Sequence, residues 1–114
     1  MYQQIKTNDK KIMKRTITRN VLTKKLGNFI SVENLPSRNG QRKAPNQFEL
    51  KFENGRVFQS YDSLIGVMMN SGDICFTDRH DYSNTTSLHC KNWCHIDTRT
   101  RREGLKSGKF IGII

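Results

Sequence analysis

The chain predicts an α+β fold: a small antiparallel sheet of two hairpins, about four or five strands, packed against one main helix in the C-terminal half. Three observations carry that expectation. Phe48, Leu50 and Phe52 alternate with charged residues ahead of Glu53-Asn54-Gly55-Arg56, the period of a half-buried strand entering a tight turn. From Ser83 onward the period changes, because Thr86, Cys90, Trp93 and Cys94 recur at i, i+4, i+7 and i+8 and form one stripe of a helix. The third is charge. Residues 1–45 hold eleven Lys/Arg against only Asp9 and Glu33, so nine of the ten net positive charges sit in the first 45 residues, ahead of a near-neutral body. These divide the chain into a basic N-terminal arm, 1–27, and a single α+β domain, 28–114.

The arm interleaves Lys10-Lys11, Lys14-Arg15, Arg19 and Lys24-Lys25 with Ile12, Ile17, Val21, Leu22 and Leu26. Thr18 is placed to cap a short helix with Gly27 just past its end. Residues before about Thr16 are expected to be disordered until something binds them. Phe29–Val32 is the candidate first strand, and Leu35–Pro45, broken by Pro36, Asn39-Gly40 and Pro45, is a basic loop. Asn54-Gly55 offers the two positive-φ positions of a type I′ hairpin. That turn sets Glu53 opposite Arg56, Phe52 opposite Val57 and Phe48 opposite Tyr61. Phe58 then points to the other face, which is expected to be partly covered.

Leu64–Met69 and Ile74–Thr77, separated by Asn70-Ser71-Gly72-Asp73, read as a second hairpin. Asp81 or Ser83 is a natural N-cap for the helix that follows. Thr98 or Thr100 opens a short second helix, with Thr100 and Glu103 at capping-box spacing, Gly104 weakening it and Gly108 as its stop. Phe110–Ile114 is expected to add an edge strand.

Length and composition bound the rest. At 114 residues there is room for one domain, and with 34% apolar residues and a mean hydropathy of −0.72 the core must be small. No apolar run approaches the roughly 18 residues of a membrane span, and Met1–Lys6 lacks the apolar stretch of an export signal. Three cysteines, an odd number, in such a chain point to free thiols in a reducing cytoplasm.

Several strings resemble a family of short proteins encoded by phages and bacteria, for which no activity is established. They are Asn46-Gln47-Phe48, Glu53-Asn54-Gly55, Phe58-Gln59-Ser60-Tyr61-Asp62-Ser63-Leu64-Ile65, Asp81-Tyr82-Ser83-Asn84-Thr85-Thr86-Ser87 and Lys106-Ser107-Gly108. The resemblance runs over residues 38–110 and implies an α+β module common in mobile elements. It leaves the basic arm outside. At Cys90 and Cys94 relatives carry leucine-like residues, and at Arg101 and Gly104 this chain departs from a more helical, less basic pattern.

The chemistry-bearing residues sort as follows. His89-Cys90 and Cys94-His95, with Cys75 and His80 upstream, contain zinc-ligand types, but on a helix His89 and His95 project away from the Cys90/Cys94 side. Small core residues are the simpler account of the cysteines, so no metal or other cofactor is expected. Asp62, Asp73, Asp78, His80 and Asp81 are the carboxylates and base a metal-dependent nuclease would recruit. Capping and turn formation explain them more simply, and no catalytic residue is assigned. Tyr61-Asp62-Ser63 and Asp81-Tyr82-Ser83 each set a tyrosine beside an aspartate and a serine; turn formation competes there with base stacking. Trp93 is expected to anchor the core.

The clustering of cations is the strongest signal. Lys10, Lys11, Lys14, Arg15, Arg19, Lys24, Lys25, Arg38, Arg42, Lys43, Arg99, Arg101 and Arg102 form the expected polyanion-binding set. The function predicted is a small, basic, non-enzymatic protein of phage or mobile-element type that engages nucleic acid or a host nucleoprotein complex. One form is an anti-CRISPR-like inhibitor of host defence. An interaction module for an acidic protein or for its own copies is the alternative, and a small metal-dependent nuclease comes third.

Overall fold

The computed structural model describes residues 12–114. In chain order its elements are β1 (Thr16–Ile17), α1 (Arg19–Leu26), β2 (Phe29–Pro36), β3 (Lys43–Phe52), β4 (Gly55–Ser60), β5 (Ser63–Met69), β6 (Ile74–Phe76), α2 (Asn84–Cys94), α3 (Thr98–Ser107) and β7 (Ile111–Ile113). The strands form one seven-stranded sheet in the order β1-β7-β6-β5-β4-β3-β2. It is mixed: β7 runs parallel to both β6 and β1, and the remaining neighbours are antiparallel. The α+β class holds. Among the described residues the expected four or five strands become seven and the sheet is not purely antiparallel, while three helices stand where one main helix was expected.

Both expected hairpins form, β3–β4 and β5–β6. The first has a different register from the one anticipated. Phe52 pairs with Gly55, Leu50 with Val57 and Phe48 with Gln59, so Glu53 and Asn54 are the two loop residues. Neither Asn54 nor Gly55 has a positive φ, and the I′ turn is not used. Gly55 serves packing instead: a Cβ there would lie 2.8 Å from the Met68 carbonyl oxygen and 3.0 Å from Leu26. The turn is tied to the α1–β2 connection, since the Asn54 amide donates to the Leu26 carbonyl at 3.0 Å and the Glu53 amide to that of Asn28 at 2.9 Å. A shift of two residues keeps every side chain on its face, so the apolar alternation survives the change.

The two faces are covered by different helices. On one lie α2 and α3, with Cys90, Trp93, Cys94 and Leu105 packed on Phe58, Ile65, Phe76 and Phe110. Trp93 fits against Gly66, where a Cβ would come within 3.0 Å of its ring. The predicted helical stripe Thr86, Cys90, Trp93, Cys94 is buried as a unit, and Ser83 caps α2 by accepting from the Thr86 amide at 3.1 Å. The opposite face is covered by α1, whose Leu22 and Leu26 pack on Val57, Val67, Cys75 and Ile113. Capped by Thr18, α1 leads from β1 at one edge of the sheet to β2 at the other.

Four local expectations are corrected. The segment from Met13 to Leu26, expected within the basic arm, supplies a strand and two core leucines. Phe110–Ile114 does not add an edge strand, because β7 lies between β1 and β6. The Leu35–Pro45 loop shrinks to the connection between β2 and β3, since those strands extend to Pro36 and from Lys43. α3 is capped by Asp97, which accepts from the Thr100 amide at 2.8 Å, while Glu103 pairs with Arg99.

Candidate nucleic-acid interface

The basic set divides sharply at Arg101. Of its described members, all but Arg101 are exposed, and Arg101 has no accessible surface at all. Lys10 and Lys11 lie outside the described residues. An ionised side chain withdrawn from water needs hydrogen-bond partners in its place, and each of the three Arg101 guanidinium nitrogens has at least one. Its Nε donates to His80 Nδ1 at 3.0 Å, and its terminal nitrogens donate to the carbonyls of Ile96 at 2.5 Å and His80 at 3.2 Å. They also reach the hydroxyls of Ser87 and Thr98, each at 3.1 Å. Arg101 is therefore an internal strut and not a phosphate contact, which corrects its assignment.

To accept from Arg101, the His80 ring must keep Nδ1 unprotonated. Burial drives the His80 pKa down to about 4; the Arg101 and Arg102 charges push the same way, and Asp81 and Asp78 oppose them. The neighbouring pair repeats the link outside: Arg102 Nε meets Asp81 Oδ2 at 2.6 Å. Two successive residues of α3 thus hold two successive residues of the β6–α2 loop.

That loop carries Arg79 and Tyr82, and it builds a pocket. Tyr61-Asp62-Ser63, turning from β4 into β5, and Arg79, Tyr82 and Ser83 line one cavity of ≈ 260 Å³ together with Ile65. The two tyrosine strings of the sequence thus meet in space. Tyr61 and Tyr82 are 62% and 70% exposed, far more than aromatic rings placed only for packing. The Arg79 guanidinium lies 4.7 Å from the centre of the Tyr82 ring, within cation–π range. Tyr61 has φ 55°, a left-handed conformation rare for a bulky residue, and its amide donates at 2.6 Å to the carbonyl of Asn46, itself at φ 64°. Gln59 Nε2 holds the Tyr61 carbonyl at 2.7 Å. Arg79 is absent from the expected set; its spacing of three from an exposed tyrosine, inside Asp78-Arg79-His80-Asp81, was the available signal.

The remaining cations do not converge. Arg15 Nε donates to the Gly108 carbonyl at 2.7 Å, at the C-terminal end of α3, where Lys14 also lies. Arg19, Lys24 and Lys25 ride on α1. Arg38, Arg42 and Lys43 surround the β2–β3 connection. Lys25 adjoins the β3–β4 turn, where its carbonyl accepts from Asn54 Nδ2, whereas Lys43 opens β3 at the other end of that strand. The positive charge is spread around the sheet. It is also little neutralised: among described residues the ion pairs are Arg56–Glu49, Arg99–Glu103 and Arg102–Asp81, and Lys24, Lys25, Arg38, Arg42 and Lys43 join none.

The three cysteines and two of the histidines weighed as metal ligands lie in the interior. Cys75, Cys90 and Cys94 are free and buried, and the Cys94 thiol contacts the Ile96 carbonyl at 3.8 Å. Among the described residues no three His, Cys, Asp or Glu side chains converge as a metal site. His89 is buried, and that burial lowers its pKa. No helix among the described residues is long and apolar enough to cross a membrane.

The fold and pocket define a small α+β protein, a mixed sheet with helices on both faces whose loops present two tyrosines. The chain belongs to a family of unknown function, DUF8033, whose model matches residues 3–111. No curated protein and no solved structure matches it. The family match reaches back across the basic N-terminal segment, which corrects the expectation that this segment lies outside the shared pattern.

Proposed function

We propose that this chain is a non-enzymatic nucleic-acid-binding protein. The observation that supports the reading best is a surplus of exposed, unneutralised cations on a chain of net charge +10, grouped on α1 and on the β2–β3 connection. Phosphates are the natural partners of such groups: arginine forks onto them and lysine acts as a point charge. Because the cations are spread around the sheet, the geometry favours a flexible strand that follows the surface over a rigid duplex docked on one face. A strand inside a host nucleoprotein assembly offers the same phosphates. Occupying a guide-RNA or target-DNA path in a defence complex is the phage or mobile-element form of this reading, in the bacterial cytoplasm.

The test is a salt series of gel shifts with single-stranded DNA and RNA. Binding should weaken with salt by a log–log slope of roughly −0.7 per phosphate neutralised. Absence of binding to both at low salt overturns the reading.

A further inference from the structure

Resting on the nucleic-acid reading above, we propose that the pocket between the β4–β5 turn and the β6–α2 loop is a subsite for one unpaired nucleobase, with Arg79 taking the adjoining phosphate. Its size sets the first constraint. At ≈ 260 Å³ it falls just below the roughly 300 Å³ at which pockets for whole small molecules begin, which suits a single planar ring with a few polar substituents. Its lining sets the second. Tyr61 and Tyr82 keep most of their surface in water, leaving π-faces on which a base can stack without regard to sequence. Ser63 supplies a hydroxyl that donates or accepts, and Asp62 supplies an acceptor for an exocyclic amine.

Charge sets the third. Arg79 is held against the Tyr82 ring, and no described acid pairs with it, so its N–H groups remain available to a phosphate beside a stacked base. The backbone agrees. Tyr61 in the β4–β5 turn takes a left-handed conformation costly for a bulky residue, and its amide donates to the carbonyl of Asn46 in β3, which holds the exposed ring at the pocket. On the other wall, the Arg101–His80 and Arg102–Asp81 contacts fix the loop that presents Tyr82. The site is thus built by rigid supports on both sides and needs no change in the fold to receive a base.

The test separates bases from phosphates. Fluorescence anisotropy at one low salt concentration would compare labelled dT12, rU12 and an abasic twelve-unit phosphate strand on the full chain. The base-bearing strands should bind about 5- to 100-fold more tightly than the abasic one. Tyr61→Ala and Tyr82→Ala should each pull that ratio toward one with abasic binding unchanged, while Tyr82→Phe should preserve it. Both rings are mostly exposed, so folding should survive, which a thermal melt checks. As a second measurement, amide shifts on titrating wild type with a nucleoside monophosphate should be confined to residues 60–65 and 79–86. A ratio near one in wild type, or one the alanine variants leave intact, overturns the base subsite while polyanion binding stands. Loss of all three strands overturns both.

Discussion

Arg101 and His80 hold each other in the charge states that the fold requires: the buried guanidinium donates from Nε to an imidazole Nδ1 that burial keeps neutral. The consequence is a pH dependence whose direction follows from linkage. Unfolded, His80 binds a proton below about 6.5; folded, it resists until about 4. Between those values the unfolded state carries the extra proton, so stability falls as pH drops from about 6.5 to about 4 and this contribution is constant outside that window. The loss is on the order of 3 kcal/mol. His89, also lowered by burial, contributes with the same sign. Urea denaturation at pH 7.5 and 4.5, in wild type and His80→Gln, should show a markedly smaller acid loss in the variant. Equal losses would refute the assignment.

Arg101 itself should not tolerate lysine. Lysine has three donors on one nitrogen and cannot span the separate acceptors at His80, Ile96, Ser87 and Thr98. Arg101→Lys should cost about 2 kcal/mol or more, and Arg101→Ala about 3–5 kcal/mol, because buried acceptors and the cavity are left behind. A surface arginine in a phosphate contact would give almost no change in the urea midpoint, so the measurement tells a strut from a binding residue.

What the sequence revealed was local. Both hairpins and the α2 stripe depend on neighbours within a dozen residues, and periodicity exposes them. β1 has only two residues and pairs with β7 across the length of the chain, so nothing local marks it; the strand at Phe110–Ile114 was legible, but its place between β1 and β6 was not. The alternation in β3 was legible, but the deeper face was not. Glu49, on the charged side, is buried at 8% exposure, while Phe48, Leu50 and Phe52 are only half-buried. The reason is Trp93, whose indole N–H needs an acceptor and finds Glu49 Oε2 at 2.8 Å, with Arg56 at 3.3 Å from the same oxygen. The pocket was half legible: both tyrosine strings stood out in sequence, but their meeting depends on the arrangement of β4, β5 and α2. Arg101 looked like its neighbours Arg99 and Arg102, and only tertiary packing distinguishes it.

Gly104 provides a test in which helix propensity and packing disagree. Read locally, a glycine within α3 costs about 1 kcal/mol against alanine, so Gly104→Ala should stabilise. The structure reverses this, because a Cβ at Gly104 would run into the Phe110 ring, which is itself packed edge-on to Phe76. Gly104→Ala should destabilise by about 1–3 kcal/mol, as overpacking does. A raised melting temperature would show that Phe110 can move aside.

The Tyr61 backbone separates strain from contact. Removing the ring with alanine keeps a side chain in the left-handed region, whereas glycine occupies it without penalty. Tyr61→Gly should therefore be more stable than Tyr61→Ala by about 1 kcal/mol, the reverse of the order at ordinary positions. Both should lose the preference for base-bearing strands. Denaturation curves of the pair check the first statement without reference to any ligand.

Lys24 and Lys25 decide whether the dispersed charge acts on a strand. They sit in the last turn of α1, where cations also favour the helix dipole by about 0.3–1 kcal/mol, so a purely structural role is a fair competitor. The two roles differ in what salt does. If each lysine displaces a counterion from a strand, Lys24→Gln with Lys25→Gln should flatten the log–log salt slope for single strands by roughly 1.4, two phosphates' worth. If they serve only the helix, the melting temperature falls slightly and the slope stays. The β2–β3 cations give the matching control: Arg42→Gln with Lys43→Gln should flatten the slope by a similar amount, because a strand following the surface gains from both groups. A slope indifferent to both double variants means that no phosphate follows α1 or that connection, and the surplus charge then serves solubility alone.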